Sequence, residues 1–280
     1  MDSSLWKEWF AGGVANAVTS ALLNPLDVSK TVMQTSTEAS SFSSTLKKLY
    51  ASNGLRGVFL PGLTASVIRE MVYSGAKAGM YVPVRNYFSN ENGGVTVAAK
   101  VQAALLTGAL GSLLANPIDV VKIRLMRDPG MYTSTLGALP SIYRAEGVGG
   151  LYRGLLPSTL RGACVSAGEL ASYDIIKSAL REKFFSNKDG PVLHVCASLL
   201  TGMVASVVAA PWDLIKSRAM SSVGQSASIS SVIFQLSKEG GLPFSLFRGL
   251  LPAYLRLGPH ALVAFPIFEQ LRLALGLEYL

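Results

Sequence analysis

The sequence predicts an all-α membrane protein, with six transmembrane helices in three parallel repeats around a pseudo-threefold axis and a short connecting helix in each repeat. Composition is the first observation behind this. Half of the 280 residues are apolar and only 15% are charged, against roughly 25% in soluble domains, and the mean hydropathy is +0.38. The second is an element that occurs three times: Asn24-Pro25-Leu26-Asp27-Val28-Ser29-Lys30, Asn116-Pro117-Ile118-Asp119-Val120-Val121-Lys122 and Ala210-Pro211-Trp212-Asp213-Leu214-Ile215-Lys216. The copies are 92 and then 94 residues apart, the mark of a tandem repeat. The third is register. An arginine follows the lysine by 39, 39 and 40 residues (Arg69, Arg161, Arg256), and an aromatic follows each arginine by 12 (Tyr81, Tyr173, Phe268). The repeats therefore span residues 1–92, 93–187 and 188–280.

Each repeat reads as long helix, short helix, long helix. The first long segment runs from about Leu5 to Gln34 and reaches Pro25, where loss of a ladder bond kinks it. Small residues from Ala11 to Ala17 let another backbone approach closely. A polar stretch precedes a short amphipathic piece around Phe42 to Tyr50, which Asn53-Gly54 breaks. The return segment covers about Pro61 to Phe88, and Ser89 to Gly94 reads as a linker. The second repeat has Val97–Met126, Thr135–Arg144 and Leu155 to about Glu182; the third has Val192–Met220, Ser228–Lys238 and about Leu250–Leu275. About twenty residues at 1.5 Å each cross a bilayer core of roughly 30 Å. Two crossings per repeat bring the chain back to its starting side, so both termini share one face. Lys47, Lys48, Arg56, Arg144, Arg153, Lys238 and Arg248 gather on the other.

The net charge of +8 is open to nucleic acid, anionic lipid headgroups or an anionic substrate. No RNA motif or compact basic helix is present, which excludes nucleic acid. Cys164 and Cys196 have no metal-ligand spacing and read as buried apolar thiols. With no nucleophile–base pair, metal cluster or phosphate-cradling loop, an enzyme is not expected, nor a cofactor or metal. The stretch Met1 to Phe10 carries Asp2, Lys7 and Glu8 and no arginine, so no cleavable presequence is expected.

Three arginines at equivalent depth, roughly halfway down their helices, are costly unless they face a shared watery interior. Tyr73 and Lys77, four and eight residues after Arg69, lie on its stripe. Arginine grips a carboxylate with two prongs, so Arg69, Lys77, Arg161 and Arg256 are the candidate anion site, with Tyr73 and Ser166 as hydrogen-bonding partners. A structural role, pairing with Glu70 or Glu169, is the competing reading. The acid and lysine of each proline element suit either an intrahelical pair or partners on neighbouring helices. With the aromatic-acid-base elements Tyr81/Arg85, Tyr173/Asp174/Lys177 and Phe268/Glu269/Arg272, they suggest two rings of ion pairs that a transporter would open alternately. Val82 stands where the other repeats have an acid. His260, His194 and the three tryptophans read as packing or interface residues.

These motifs resemble the mitochondrial carrier family, whose hallmark Pro-x-Asp/Glu-x-x-Lys/Arg occurs three times per chain. Glu146-Gly147 to Tyr152-Arg153-Gly154 and Glu239-Gly240 to Phe247-Arg248-Gly249 match its second motif, the latter with a two-residue insertion; Asn53-Gly54 to Pro61-Gly62 departs from it. The resemblance implies a monomer in the mitochondrial inner membrane, with membrane lipids, cardiolipin among them, at the matrix-side short helices. It implies a matrix gate of Asp27, Lys30, Asp119, Lys122, Asp213 and Lys216 braced by Gln34, and substrate contact at Arg69, Arg161-Gly162 and Arg256. The cytoplasmic gate would have one ion pair fewer because of Val82. Arg256-Leu257-Gly258-Pro259-His260, Phe268-Glu269-Gln270 and Glu169 to Asp174 are similar to the branch holding the oxoglutarate, dicarboxylate and uncoupling proteins. The expected function is exchange of small anions, dicarboxylates or oxoacids, by alternating access. The alternatives are an uncoupling-type proton or fatty-acid anion carrier and a transport-inactive membrane adaptor.

Overall fold

The computed structural model describes residues 3–36, 41–88, 96–132, 134–184, 191–223, 229–240 and 244–276. Among them the regular structure is helical. The first repeat has α1 (Ser3–Leu22), α2 (Asn24–Thr35), α3 (Phe42–Phe59) and α4 (Leu63–Phe88). The second has α5 (Val97–Arg127), α6 (Thr135–Leu151) and α7 (Leu155–Phe184), and the third α8 (Pro191–Ser221), α9 (Ile229–Gly240) and α10 (Leu250–Ala274), with a short 3-10 turn at Phe244–Phe247. The Ser89–Gly94 linker lies outside the described residues.

The first proline splits its helix at Leu23, whose ψ of 8° leaves the helical range. α5 and α8 stay continuous through Pro117 and Pro211. The expected breaks in the short helices are left-handed glycines: Gly54 has φ +59° and Gly147 φ +67°, and helical turns resume beyond both. Side-chain oxygens of Ser41, Thr96 and Ser134 accept from the amides of Ser44, Ala99 and Gly137 and so cap α3, α5 and α6.

The long helices close into a ring. α1 packs along α4, α4 along α5, α5 against α7, α7 along α8, α8 against α10, and α10 returns to α1. Small residues permit the closest approaches. A Cβ at Gly75 would lie 2.1 Å from Nε1 of Trp9, and one at Gly168 3.0 Å from the backbone of Ala205. The outward faces of α5 and α8 expose Leu105, Leu106, Leu113, Leu114, Leu199 and Val208, and both helices are long and apolar enough to cross a membrane. Cys164 and Cys196, expected to be buried, are half-buried free thiols.

Three loops lock the base of the ring. The left-handed glycines Gly62, Gly154 and Gly249 precede the return helices, and a Cβ on any of them would lie 2.8–2.9 Å from the side chain of Met126, Met220 or Gln34, respectively. Those three side chains stand four residues after the repeat lysines, so each repeat seats one on the glycine of the repeat before it.

Candidate functional site

The base of the ring carries a continuous ionic network. Lys122 Nζ lies 2.9 Å from Oδ2 of Asp27, Lys216 Nζ 2.7 Å from Oδ2 of Asp119, and Lys30 pairs with Oδ2 of Asp213. Each lysine thus reaches the aspartate of another repeat, which decides between the two arrangements the sequence left open. The acid of one repeat faces the lysine of the next: Asp27 to Lys122, Asp119 to Lys216 and Asp213 to Lys30.

The arginines complete the network. Arg69 Nε is 3.1 Å from Oδ1 of Asp119, Arg161 Nε 2.8 Å from Oδ1 of Asp213, and Arg256 Nη1 2.9 Å from Oδ1 of Asp27. Every aspartate therefore divides its two oxygens between a lysine of one neighbouring repeat and an arginine of the other. The carboxylates are buried, with side-chain exposures of 4–12%, and so depend on these partners.

The depth expectation needs correction. Arg69, Arg161 and Arg256 are not halfway down their helices; each stands six residues past the helix start, about 9 Å or two turns in. The segment starts read from the sequence, about Pro61, Leu155 and Leu250, already place them near the helix starts, where they touch the aspartates.

The arginines are not equivalent. Arg69 also meets Glu70 at 2.6 Å and lies 4.4 Å beneath the Tyr73 ring, a cation–π contact. Arg256 approaches Glu70 at 3.8 Å. Arg161 is the most exposed at 36%, against 17% and 23% for Arg69 and Arg256, and a Cβ on Gly162 beside it would meet nothing within 4 Å. Lys77 is exposed, and Ser166 and His260 are half-buried. The side chains of Glu169 and His194 lie outside the described residues.

Gln34 accepts from Ser217 Oγ at 2.6 Å and donates at 3.4 Å to Oδ2 of Asp213 and to the carbonyl of Arg248. It sits directly against the Lys30–Asp213 pair. At the opposite end of the ring, Tyr81, Arg85, Tyr173, Lys177, Phe268, Glu269 and Arg272 are half-buried. Arg272 lies over its own helix's Phe268 at 5.6 Å, and Arg85 donates to Asn86. The Asp174 side chain lies outside the described residues.

Sequence reasoning missed Arg124. Its guanidinium is fully buried, forks onto both oxygens of Glu146 at 2.6 and 2.9 Å, and donates to the carbonyls of Met220 and Ser222. Arg218, at the same register in the third repeat, donates to the carbonyls of Gln34 and Ser36. The signal was available: arginine stands two residues after the lysine in repeats two and three, where Glu-Gly also occurs, while repeat one has Val32 and Asn53.

Comparison with known proteins agrees with this architecture. The sequence matches the family described as mitochondrial carrier protein three times, over residues 2–92, 93–184 and 187–278. It is 31% identical to the mitochondrial substrate carrier family protein ucpB of Dictyostelium discoideum, covering 98% of each chain. It is 31% identical to a mitochondrial dicarboxylate carrier of Caenorhabditis elegans, over 96% of this chain and 94% of that one. It is 32% identical to mitochondrial uncoupling protein 1 of Arabidopsis thaliana, over 96% and 93%. The chain belongs to the mitochondrial carrier family, multi-pass inner-membrane proteins that transport solutes.

Proposed function

We propose that this carrier exchanges small dianions, dicarboxylates or oxoacids, by alternating access, as a monomer whose three repeats form one gated path. The observation that carries this reading is the sharing of each ring aspartate between a lysine and an arginine. Three lysines and three arginines face three aspartates and Glu70, an excess of two positive charges. A dianion entering from the cytoplasmic side neutralises that excess, binding Arg69, Arg161 and Arg256 with Tyr73, Lys77, Gly162 and Ser166 around it. Each arginine it takes leaves an aspartate with a lysine alone.

That exchange of partners is the coupling. Breaking a buried ion pair outright is expensive, whereas trading one carboxylate for another at the same arginine costs far less. The lysine–aspartate ring, with Gln34 against it, is then the matrix gate, weakened from above by the substrate. The residues Tyr81, Arg85, Tyr173, Asp174, Lys177, Phe268, Glu269 and Arg272 form the cytoplasmic gate that closes in turn. The acid that Val82 replaces in the first repeat makes this the weaker closure.

The same reading assigns an anionic lipid headgroup, such as that of cardiolipin, to a cleft of about 810 Å3 between the first two repeats. Arg56, Gly62, Thr64, Ser134 and Thr135 line it, so the first residues of α4 and α6 border the cleft together with a guanidinium.

Reconstitution tests the function. Labelled malate or oxoglutarate is expected to enter proteoliposomes loaded with a dicarboxylate and to stay out of empty ones. The likeness to an uncoupling protein supports a second reading, in which a proton leak develops without exchange. Silence toward every anion would leave an adaptor.

A further inference from the structure

Glu70 breaks the threefold symmetry of the site. The equivalent positions, one after Arg161 and Arg256, hold Gly162 and Leu257. Its carboxylate is 5% exposed; Oε1 lies 2.6 Å from Arg69 Nη1 and 3.8 Å from Arg256 Nη2, while Oε2 accepts from Ser74 Oγ at 3.0 Å. A built-in carboxylate thus sits between two of the three arginines, where one end of a dianion would have to sit. Among the described residues, Arg161 pairs with Asp213 alone and stays the most exposed.

We propose that Glu70 couples the anion to a proton: a substrate carboxylate displaces it from Arg69 and Arg256, and the displaced group takes up a proton, so that dianion and proton travel together. This rests on the anion-binding reading above. One substrate carboxylate docks on Arg161, and the other replaces Glu70 at Arg69 and Arg256. Glu70 then has no cation in contact, and a buried carboxylate without a counter-charge binds a proton in preference to staying ionised. The proton comes from water on the entry side and leaves Glu70 neutral, able to donate to Ser74 Oγ. When the dianion departs on the far side, the arginines reclaim Glu70 and the proton goes to water there.

Among the described residues, the other charged groups around Glu70 make no ion pair with it. On its own helix, Arg69 is taken by the substrate and Lys77 lies two turns away. From α10 come Arg256, also taken, and His260; from α5, Lys122, held by Asp27, and Asp119; from α2, Asp27 itself. The described charged side chain of α1 is Lys7, near its other end. His260 is the rival proton acceptor.

Calorimetric titration of the purified full-length carrier with malate, in two buffers of different ionisation enthalpy, counts the protons bound with the anion. The wild type is expected to take up about one proton per malate at neutral pH. Glu70→Gln should take up none and bind malate more tightly, having no carboxylate to displace, and Glu70→Asp should keep the proton. Uptake of no proton by the wild type overturns the proposal, as does undiminished uptake in Glu70→Gln. Proton uptake that survives in Glu70→Gln and is lost in His260→Gln also overturns it, assigning the coupling to the histidine. Failure of the wild type to bind any dicarboxylate would remove the anion-binding reading beneath it, a result distinct from binding without a proton.

Discussion

Arg124 and Glu146 show how a buried charge is made tolerable in this molecule. The guanidinium has no exposed surface, and its donors are spent on Glu146, the Tyr132 hydroxyl and two carbonyls of the next repeat. Removing the acid alone leaves that charge with neutral acceptors. Glu146→Ala is therefore expected to cost about 3–5 kcal/mol, seen as a large drop in thermal unfolding temperature. Adding Arg124→Met should recover part of the loss, since the first repeat has uncharged residues at both positions, Val32 and Asn53, while Arg153, 3.0 Å from the same carboxylate, still loses its acid. The lysines and aspartates of the ring were legible in the sequence because they recur in register. Their partners were not, since a three-residue spacing fits an intrahelical pair as well as an inter-repeat one. Glu70 occurs once; the sequence offered it as a structural partner for the arginines, and Arg69 does pair with it at 2.6 Å.

Helix existence and order were legible for a related reason: the 92- and 94-residue offsets let each repeat's boundaries check the others. The depth of the arginines was misjudged, although the segment starts at about Pro61, Leu155 and Leu250 already put them eight, six and six residues in. Helix contacts were only partly legible. The small residues of α1 announced close packing, yet among the described glycines the tightest approach pairs Trp9 of α1 with Gly75 of α4, the indole resting where a side chain would begin. Trp9 is thus a packing residue as well as a surface aromatic, 38% exposed. Gly75→Ala should push the indole off α4 at a cost of about 1–3 kcal/mol, read as a lower unfolding temperature. Trp9→Ala in the same chain should make the added methyl harmless; an additive loss instead would place the strain elsewhere.

At the scale of the whole molecule, three repeats are stitched into one ring by aspartates that each belong to one repeat and serve the other two. Asp119, for instance, ties Lys216 of the third repeat to Arg69 of the first. In the proposed mechanism such a ring opens as a unit, as one central site controlling one gate requires. In the proposed mechanism the anion competes with the aspartates for the arginines. Arg161 is the most accessible of them, with a single carboxylate partner among the described residues. The direct test is the initial rate of labelled malate uptake into malate-loaded proteoliposomes by Arg161→Ala, with folding verified by its thermal transition. Loss of charge-assisted hydrogen bonds worth roughly 1.5–3 kcal/mol predicts a fall of about 10- to 100-fold or more. A folded variant that takes up malate at the wild-type rate would contradict the account.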